Sequence, residues 1–91
     1  MRESKIERYL KKRVKECGGH TRKLRYIACD GAPDRMVLLN GKLHFIELKS
    51  SEGRLRKNQV VQLDLLVAYN QSVHVINSIE AVDNFITENT K

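Results

Sequence analysis

The stretch that decides the fold is GAPDRMVLLNGKLHFIELKS, residues 31–50. Asn40 and Gly41 lie between two runs in which apolar residues recur. An Asn-Gly pair in this setting is a strong β-hairpin signal, because a two-residue type I′ turn needs a positive φ angle at both central positions. The turn also fixes the register of the two strands, so that Leu38 faces Leu43.

Three charged residues fall on one face of this predicted hairpin. Asp34 faces Glu47 in the same register, and the two-residue period of a strand puts Lys49 beside them. Met36 and Phe45 share that face, so we expect the charges to close off one end of an apolar surface. Two carboxylates about 5 Å apart repel by about 3 kcal/mol at an effective dielectric near 20, which exceeds the ~0.2–1 kcal/mol of a favourable cross-strand pair.

The repulsion must therefore be relieved, and the residues leave three interpretations open. A raised pKa can keep one of the two carboxyl groups protonated. Lys49 can neutralise the pair in a structural salt-bridge network. Alternatively, a divalent ion can bind there, and carboxylate oxygens suit Mg²⁺ or Mn²⁺.

The rest of the chain predicts five further elements, with no repeat and no interdomain linker. The apolar spacing predicts a helix over Glu3 to Cys17 that ends at two glycines, and a second helix over Asn58 to Tyr69. Strands are predicted over residues 21–29 and 72–76, and Ser78 can cap a last helix. The predicted order is α-β-β-β-α-β-α, within one α/β domain over residues 1–91.

Two more polar residues lie on the inward stripes of these helices. Helical spacing puts Glu3 in line with Ile6, although a first-turn glutamate is also common at a helix N-terminus. Glu7 is a less well placed alternative. Gln59 lies four residues before Leu63, which puts an amide on the inward stripe of the second helix.

Charge favours a polyanionic partner. The 91 residues hold 17 Lys and Arg against 11 Asp and Glu, for a formal charge of +6, and the cations are clustered. The residues we expect to contact nucleic-acid phosphates are Lys23, Arg35, Arg54, Arg56 and Lys57. No apolar run is long enough to span a membrane, so we expect a cytoplasmic protein with no membrane contact. We expect no organic cofactor. Cys17 and Cys29 are expected to be reduced packing residues.

Four elements together resemble a known family. Gly31-x-Pro33-Asp34, then Glu47-Leu48-Lys49, then Gln59 at the start of a helix, with Glu3 in a leading helix, are similar to the VRR-NUC domain of the PD-(D/E)xK nuclease superfamily. The resemblance spans nearly the whole chain. It implies a restriction-endonuclease-like αβββαβ core, with a mixed central sheet flanked by helices and a C-terminal helix.

The resemblance also implies a role for each site residue. Lys49 would position and help activate the attacking water, and Gln59 would orient Lys49 or the substrate. The implied ligands of Mg²⁺ or Mn²⁺ are Asp34, Glu47, the Leu48 carbonyl and, directly or through water, Glu3. Stand-alone members resemble symmetric dimers that cut branched DNA such as four-way junctions.

Two questions stay open in the sequence. The first five elements also match the order of a double-stranded-RNA-binding domain, so a binding module without chemistry is the alternative function. The second helix has further apolar residues beyond its inward stripe, which are either buried within the chain or available for a dimer contact. These residues are Val60, Val61, Leu65 and Ala68.

Overall fold

In a computed structural model, residues 2–91 form a four-stranded sheet flanked by three helices. The elements are α1 Glu3–Glu16, β1 His20–Lys23, β2 Arg35–Leu39, β3 Lys42–Leu48, α2 Lys57–Ala68, β4 Ser72–Ile76 and α3 Ile79–Asn89. This order confirms the predicted one. Among these residues no helix combines the length and apolar character that crossing a membrane requires.

The sheet is mixed, with the strands in the order β1-β2-β3-β4. The first two pairings are antiparallel, and β4 pairs with β3 in parallel. Leu38 pairs with Leu43, as the turn predicted, and both Asn40 and Gly41 have positive φ angles, of 52° and 77°. The parallel strand β4 and the helix after it are absent from the double-stranded-RNA-binding order, so that alternative fold is wrong for this chain.

The main core lies on the opposite face of the hairpin from the one we expected. Val37, Ile46 and Leu48 are buried against α1 and α3, whereas Leu38 on the other face is exposed. Both strongly amphipathic helices pack on the Val37 side, so only α2 remains to cover the Glu47 side. The charged residues therefore lie beside α2 and outside the main apolar cluster.

Strand β1 is shorter than predicted, since it ends at Lys23 and not at residue 29. The Leu24 N–H still donates to the Asp34 carbonyl, but the partner strand begins only at Arg35. The proline at position 33 has no N–H with which to extend the ladder. Beyond that point the chain bends outward, and Ile27 is 93% exposed.

The helix ends follow their predicted chemistry. Gly18 has a φ of 76°, and the Gly19 N–H donates to the Val14 carbonyl, which forms a Schellman turn between α1 and β1. The Ser78 side chain accepts from the Ala81 N–H at 3.0 Å and caps α3.

Both cysteines are free thiols, but both are exposed, so the expectation that they pack inside was wrong.

Candidate active site

Asp34 is held at the end of the β2–β3 ladder by a main-chain group of the neighbouring strand. The last ladder pair is Arg35 with Ile46, and beyond it the Leu48 N–H donates to Asp34 Oδ2 at 2.7 Å. The carboxylate thus accepts an N–H at the point where the ladder stops. This hydrogen bond fixes Asp34 next to the end of β3, on which Glu47 lies.

Glu47 is a buried acid that is only partly paired. Its side chain is 1% exposed. Glu47 Oε2 accepts from Gln59 Nε2 at 2.9 Å and lies 3.6 Å from Lys49 Nζ. Glu47 Oε1, in contrast, has no hydrogen-bond partner among residues 2–91. Buried polar atoms are rarely left unpaired, because their lost hydration is then uncompensated, so this oxygen is suited to bind a ligand.

The electrostatic surroundings of Glu47 favour a bound cation. Burial, together with the charge of Asp34, raises the pKa of Glu47 to about 7, although the nearby Lys49 lowers it in part. The negative charge of Glu3 adds a smaller upward contribution. Without a further cation, Glu47 is therefore partly protonated near neutral pH. A divalent ion would favour the ionised form, so the donor set fits a hard metal ion.

Gln59 connects this acid to helix α2. Its Oε1 accepts from the Arg56 N–H at 2.8 Å at the start of the helix, while its Nε2 donates to Glu47. The segment before Asp34 packs directly on the same helix turn: a Cβ atom at Gly31 would lie 2.5 Å from the Asn58 carbonyl oxygen. The amide and both acids are consequently held by neighbouring, tightly packed segments.

Glu3 does not lie on a buried stripe, which corrects the expectation from helical spacing. It is exposed at the start of α1, ahead of the buried Ile6. No three His, Cys, Asp or Glu side chains within residues 2–91 form a group that could hold a metal ion. Glu3 therefore forms no such group with Asp34 and Glu47, and its contribution to the site, direct or through water, stays a prediction.

Glu7 and Arg35 form an ion pair that the sequence did not predict. Arg35 Nη1 donates to Glu7 Oε2 at 2.9 Å, and Arg35 Nε donates to Thr21 Oγ1 at 3.0 Å. Arg35 is only 5% exposed. The prediction that Arg35 contacts phosphate was wrong, because a neighbouring helix supplies the carboxylate that occupies its guanidinium. The same ion pair occupies one carboxylate oxygen of Glu7.

The other four predicted phosphate contacts remain accessible. Arg54, Arg56 and Lys57 are exposed in the segment that leads from β3 into α2, next to Gln59. Lys23 is exposed on β1, where it pairs with Arg35 across the ladder. Three of the four cations therefore lie close in sequence to Gln59, and the fourth lies on the edge strand.

A second polar cluster, which the sequence did not reveal, borders the main core at Phe85. His44 Nδ1 lies 2.8 Å from Ser72 Oγ and 3.2 Å from His74 Nε2, and Phe85 contacts both rings. His44 is fully buried, and burial with the charges of His74 and Lys42 lowers its pKa to about 4. Only the parallel pairing of β3 with β4 brings these residues together.

Comparison with known proteins agrees with the geometry. No family model matches the chain, and no curated protein matches it either. Among solved structures, one described as "VRR_NUC domain" is 31% identical, covers 93% of this chain and 94% of its own, and superimposes with a TM-score of 0.87. The mixed sheet, the three helices and this match define a nuclease-type domain with a restriction-endonuclease-like core. At this identity and coverage, the chain belongs to the VRR-NUC family.

Proposed function

We propose that this protein is a metal-dependent DNA endonuclease that hydrolyses phosphodiester bonds. The observation that carries the proposal is the unpaired, buried Glu47 Oε1 beside Asp34 and Lys49. Asp34, Glu47 and the Leu48 carbonyl would hold Mg²⁺ or Mn²⁺, with Glu3 acting through a water molecule. Such an ion, when bound, supplies Lewis acidity and lowers the pKa of water.

The protein's own side chains account for orientation and charge. The Lys49 ammonium, 15% exposed and 3.6 Å from Glu47 Oε2, can donate both to the attacking water and to an oxygen of the scissile phosphate. It opposes the negative charge that grows on the phosphate in the transition state. Gln59 keeps the Glu47 carboxylate turned toward Lys49 through its 2.9 Å hydrogen bond.

We further propose that the protein acts as a two-fold dimer on branched DNA such as four-way junctions. The outer side of α2 has apolar residues at helical spacing, and Val61 and Leu65 are 56% and 51% exposed. Ala68 continues the same stripe and is exposed too. The sequence left open whether this stripe is buried within the chain. Its exposure shows that this alternative is wrong. A two-fold axis would relate two sites of matching polarity, which paired cuts across a junction require.

A cleavage panel tests this proposal. Purified protein is incubated with linear, flapped and four-way-junction DNA, with Mg²⁺, Mn²⁺ or EDTA, and the product ends are mapped. We expect metal-dependent cuts, placed symmetrically on the junction, and none with Asp34→Asn. Tight DNA binding with no cleavage in either metal would instead indicate a binding module. Cleavage in EDTA would contradict the metal site.

A further inference from the structure

A cleft of about 490 Å³ lies between the second half of α1 and strand β1, away from the acids. The Schellman turn at Gly18 and Gly19 joins these two elements and forms the floor of the cleft. A Cβ atom at Gly19 would lie 2.6 Å from the Leu38 carbonyl oxygen, so the turn is pressed against β2. The shape of the cleft is thus set by main-chain packing.

The walls of this cleft are strongly positive. No Asp or Glu lines it, and its cationic and histidine side chains are Lys11, Lys12, Lys15, His20 and Arg22. None of the ion pairs among residues 2–91 involves any of these five residues. Arg13, which lies between them in sequence, is instead paired with Glu16 and with Asp83 on α3.

Two structural roles explain part of this charge but not its arrangement. A cation near a helix C-terminus interacts favourably with the helix dipole, which accounts for Lys15. Charged residues on an edge strand discourage pairing with another chain, which accounts for Arg22. Neither role requires Lys11, which repels Lys15 four residues later on the same face of α1. The unpaired cations converge on a concave surface, which suits a polyanion.

The cleft and the acids lie at different levels along α1 and β1. The rise along α1 from Glu3 to Lys15 is about 18 Å. The length along β1 from His20 to the level of Asp34 is about 13 Å. These distances are too long for one phosphate to contact both places. Along B-DNA, at about 3.4 Å per base pair, they correspond to about four to five base pairs.

We propose that this basic cleft is a second phosphate-binding site, which grips the DNA backbone about four to five nucleotides from the phosphate that is cut. The proposal rests on the proposed nuclease function and adds a place where a duplex arm is held. It assigns DNA contacts to α1 and β1 in addition to those in the segment before α2.

The test compares two double variants of α1 that remove equal charge. Lys11→Gln with Lys15→Gln neutralises the cleft, whereas Lys5→Gln with Arg8→Gln neutralises exposed cations of the same helix that do not line it. Binding to duplex and junction DNA is measured in EDTA over a range of salt concentrations. Because each lost phosphate contact removes about 0.9 from the slope of log K against log salt, we expect the cleft variant to lower it by about 1.8. Affinity at low salt should fall about tenfold.

The control variant should change the slope of log K against log salt by less than half as much as the cleft variant does. Equal slopes for the two variants, with circular dichroism showing both folded, would overturn the proposal. Because this measurement needs neither metal nor cleavage, its failure is distinguishable from failure of the nuclease assignment.

A second arm locates the contact on DNA whose cut position has been mapped. A neutral methylphosphonate four or five nucleotides from the cut should weaken binding by the wild type and not by the cleft variant. The same substitution next to the cut should weaken both. Removal of a terminal 5′ phosphate should have no effect, and a loss of affinity from that removal alone would show that the cleft takes a free end and not the backbone.

Discussion

Gln59 Nε2 donates a 2.9 Å hydrogen bond to Glu47 Oε2, while Gln59 Oε1 accepts a 2.8 Å hydrogen bond from the Arg56 N–H. One amide therefore satisfies a main-chain group at the start of α2 and orients a buried acid on β3. Local helix stability and the geometry of the candidate site consequently depend on the same side chain, and each can be measured separately.

Gln59→Met should lower the free energy of unfolding by about 1–3 kcal/mol. The methionine keeps the length of the side chain but leaves Glu47 Oε2 and the Arg56 N–H without this partner, and unpaired buried polar groups cost about that much. Urea denaturation measures the change, with the exposed Gln71→Met as control. Unaltered stability in Gln59→Met would show that water or another group replaces the amide.

Glu47 predicts how pH and metal act together. Its pKa is raised from 4.5 in the unfolded chain to about 7, so its contribution to stability is present below pH 4.5 and is lost as pH rises through about 7. Mn²⁺ binds the ionised form, so it should raise the melting temperature more at pH 8 than at pH 5.5. Glu47→Gln should remove this difference, whereas the exposed Glu52→Gln should keep it. A Mn²⁺ effect that is the same at both pH values would reject Glu47 as a ligand.

Lys49 and Asp34 should separate catalysis from metal binding. Lys49→Ala should reduce cleavage by about a hundredfold or more, because the charge growing on the phosphate loses its ammonium partner, yet Mn²⁺ should still stabilise the variant. Asp34→Ala should lose both cleavage and stabilisation by Mn²⁺. Single-turnover cleavage and thermal melts measure them, with the exposed Lys5→Ala as control. Normal cutting by either site variant would reject its assigned role.

His44 should make the protein sensitive to acid. Its pKa is lowered from 6.5 to about 4, so its contribution is present above pH 6.5 and is lost as pH falls toward 4, by roughly 2–3 kcal/mol. Glu47 has the opposite slope, so urea denaturation between pH 4 and 7.5 should be done in a Glu47→Gln background. There, His44→Phe should flatten the profile and the exposed His20→Gln should not. A flat profile with His44 intact would contradict the buried neutral imidazole.

The outer stripe of α2 predicts the oligomeric state. Leu65→Glu should convert a dimer into a monomer in analytical ultracentrifugation, because it places a charge within the proposed apolar contact. Val67 is similarly exposed, at 57%, but lies on a different side of the same helix, so Val67→Glu should remain dimeric. A wild-type protein that is monomeric at high concentration would remove the dimer from the proposal.

The sequence predicted the features that depend on neighbouring residues. Asn40-Gly41 determined the hairpin register, and this register brought Asp34, Glu47 and Lys49 to one end of the sheet. Gln59 was recognisable from its helical spacing. These inferences held because turn geometry and side-chain periodicity are set locally.

The features that the sequence missed depend on how distant elements pack. Which face of the hairpin is the core was decided by where α1 and α3 pack, not by the strand residues themselves. Arg35 was expected to be free because its partner, Glu7, is 28 residues away on α1. The His44 cluster required the parallel pairing of β3 with β4, which no local pattern specifies.

The absence of a side chain at Gly31 determines how closely the segment before Asp34 can approach helix α2. With a φ of 96° and no room for a Cβ atom against Asn58, this residue lets two segments approach as closely as bare backbone permits. One segment leads to Asp34 and the other begins the helix of Gln59. An alanine there would act as a wedge and push the segment of Asp34 away from the helix of Gln59. The two segments can lie this close together because one residue contributes no side-chain volume at all.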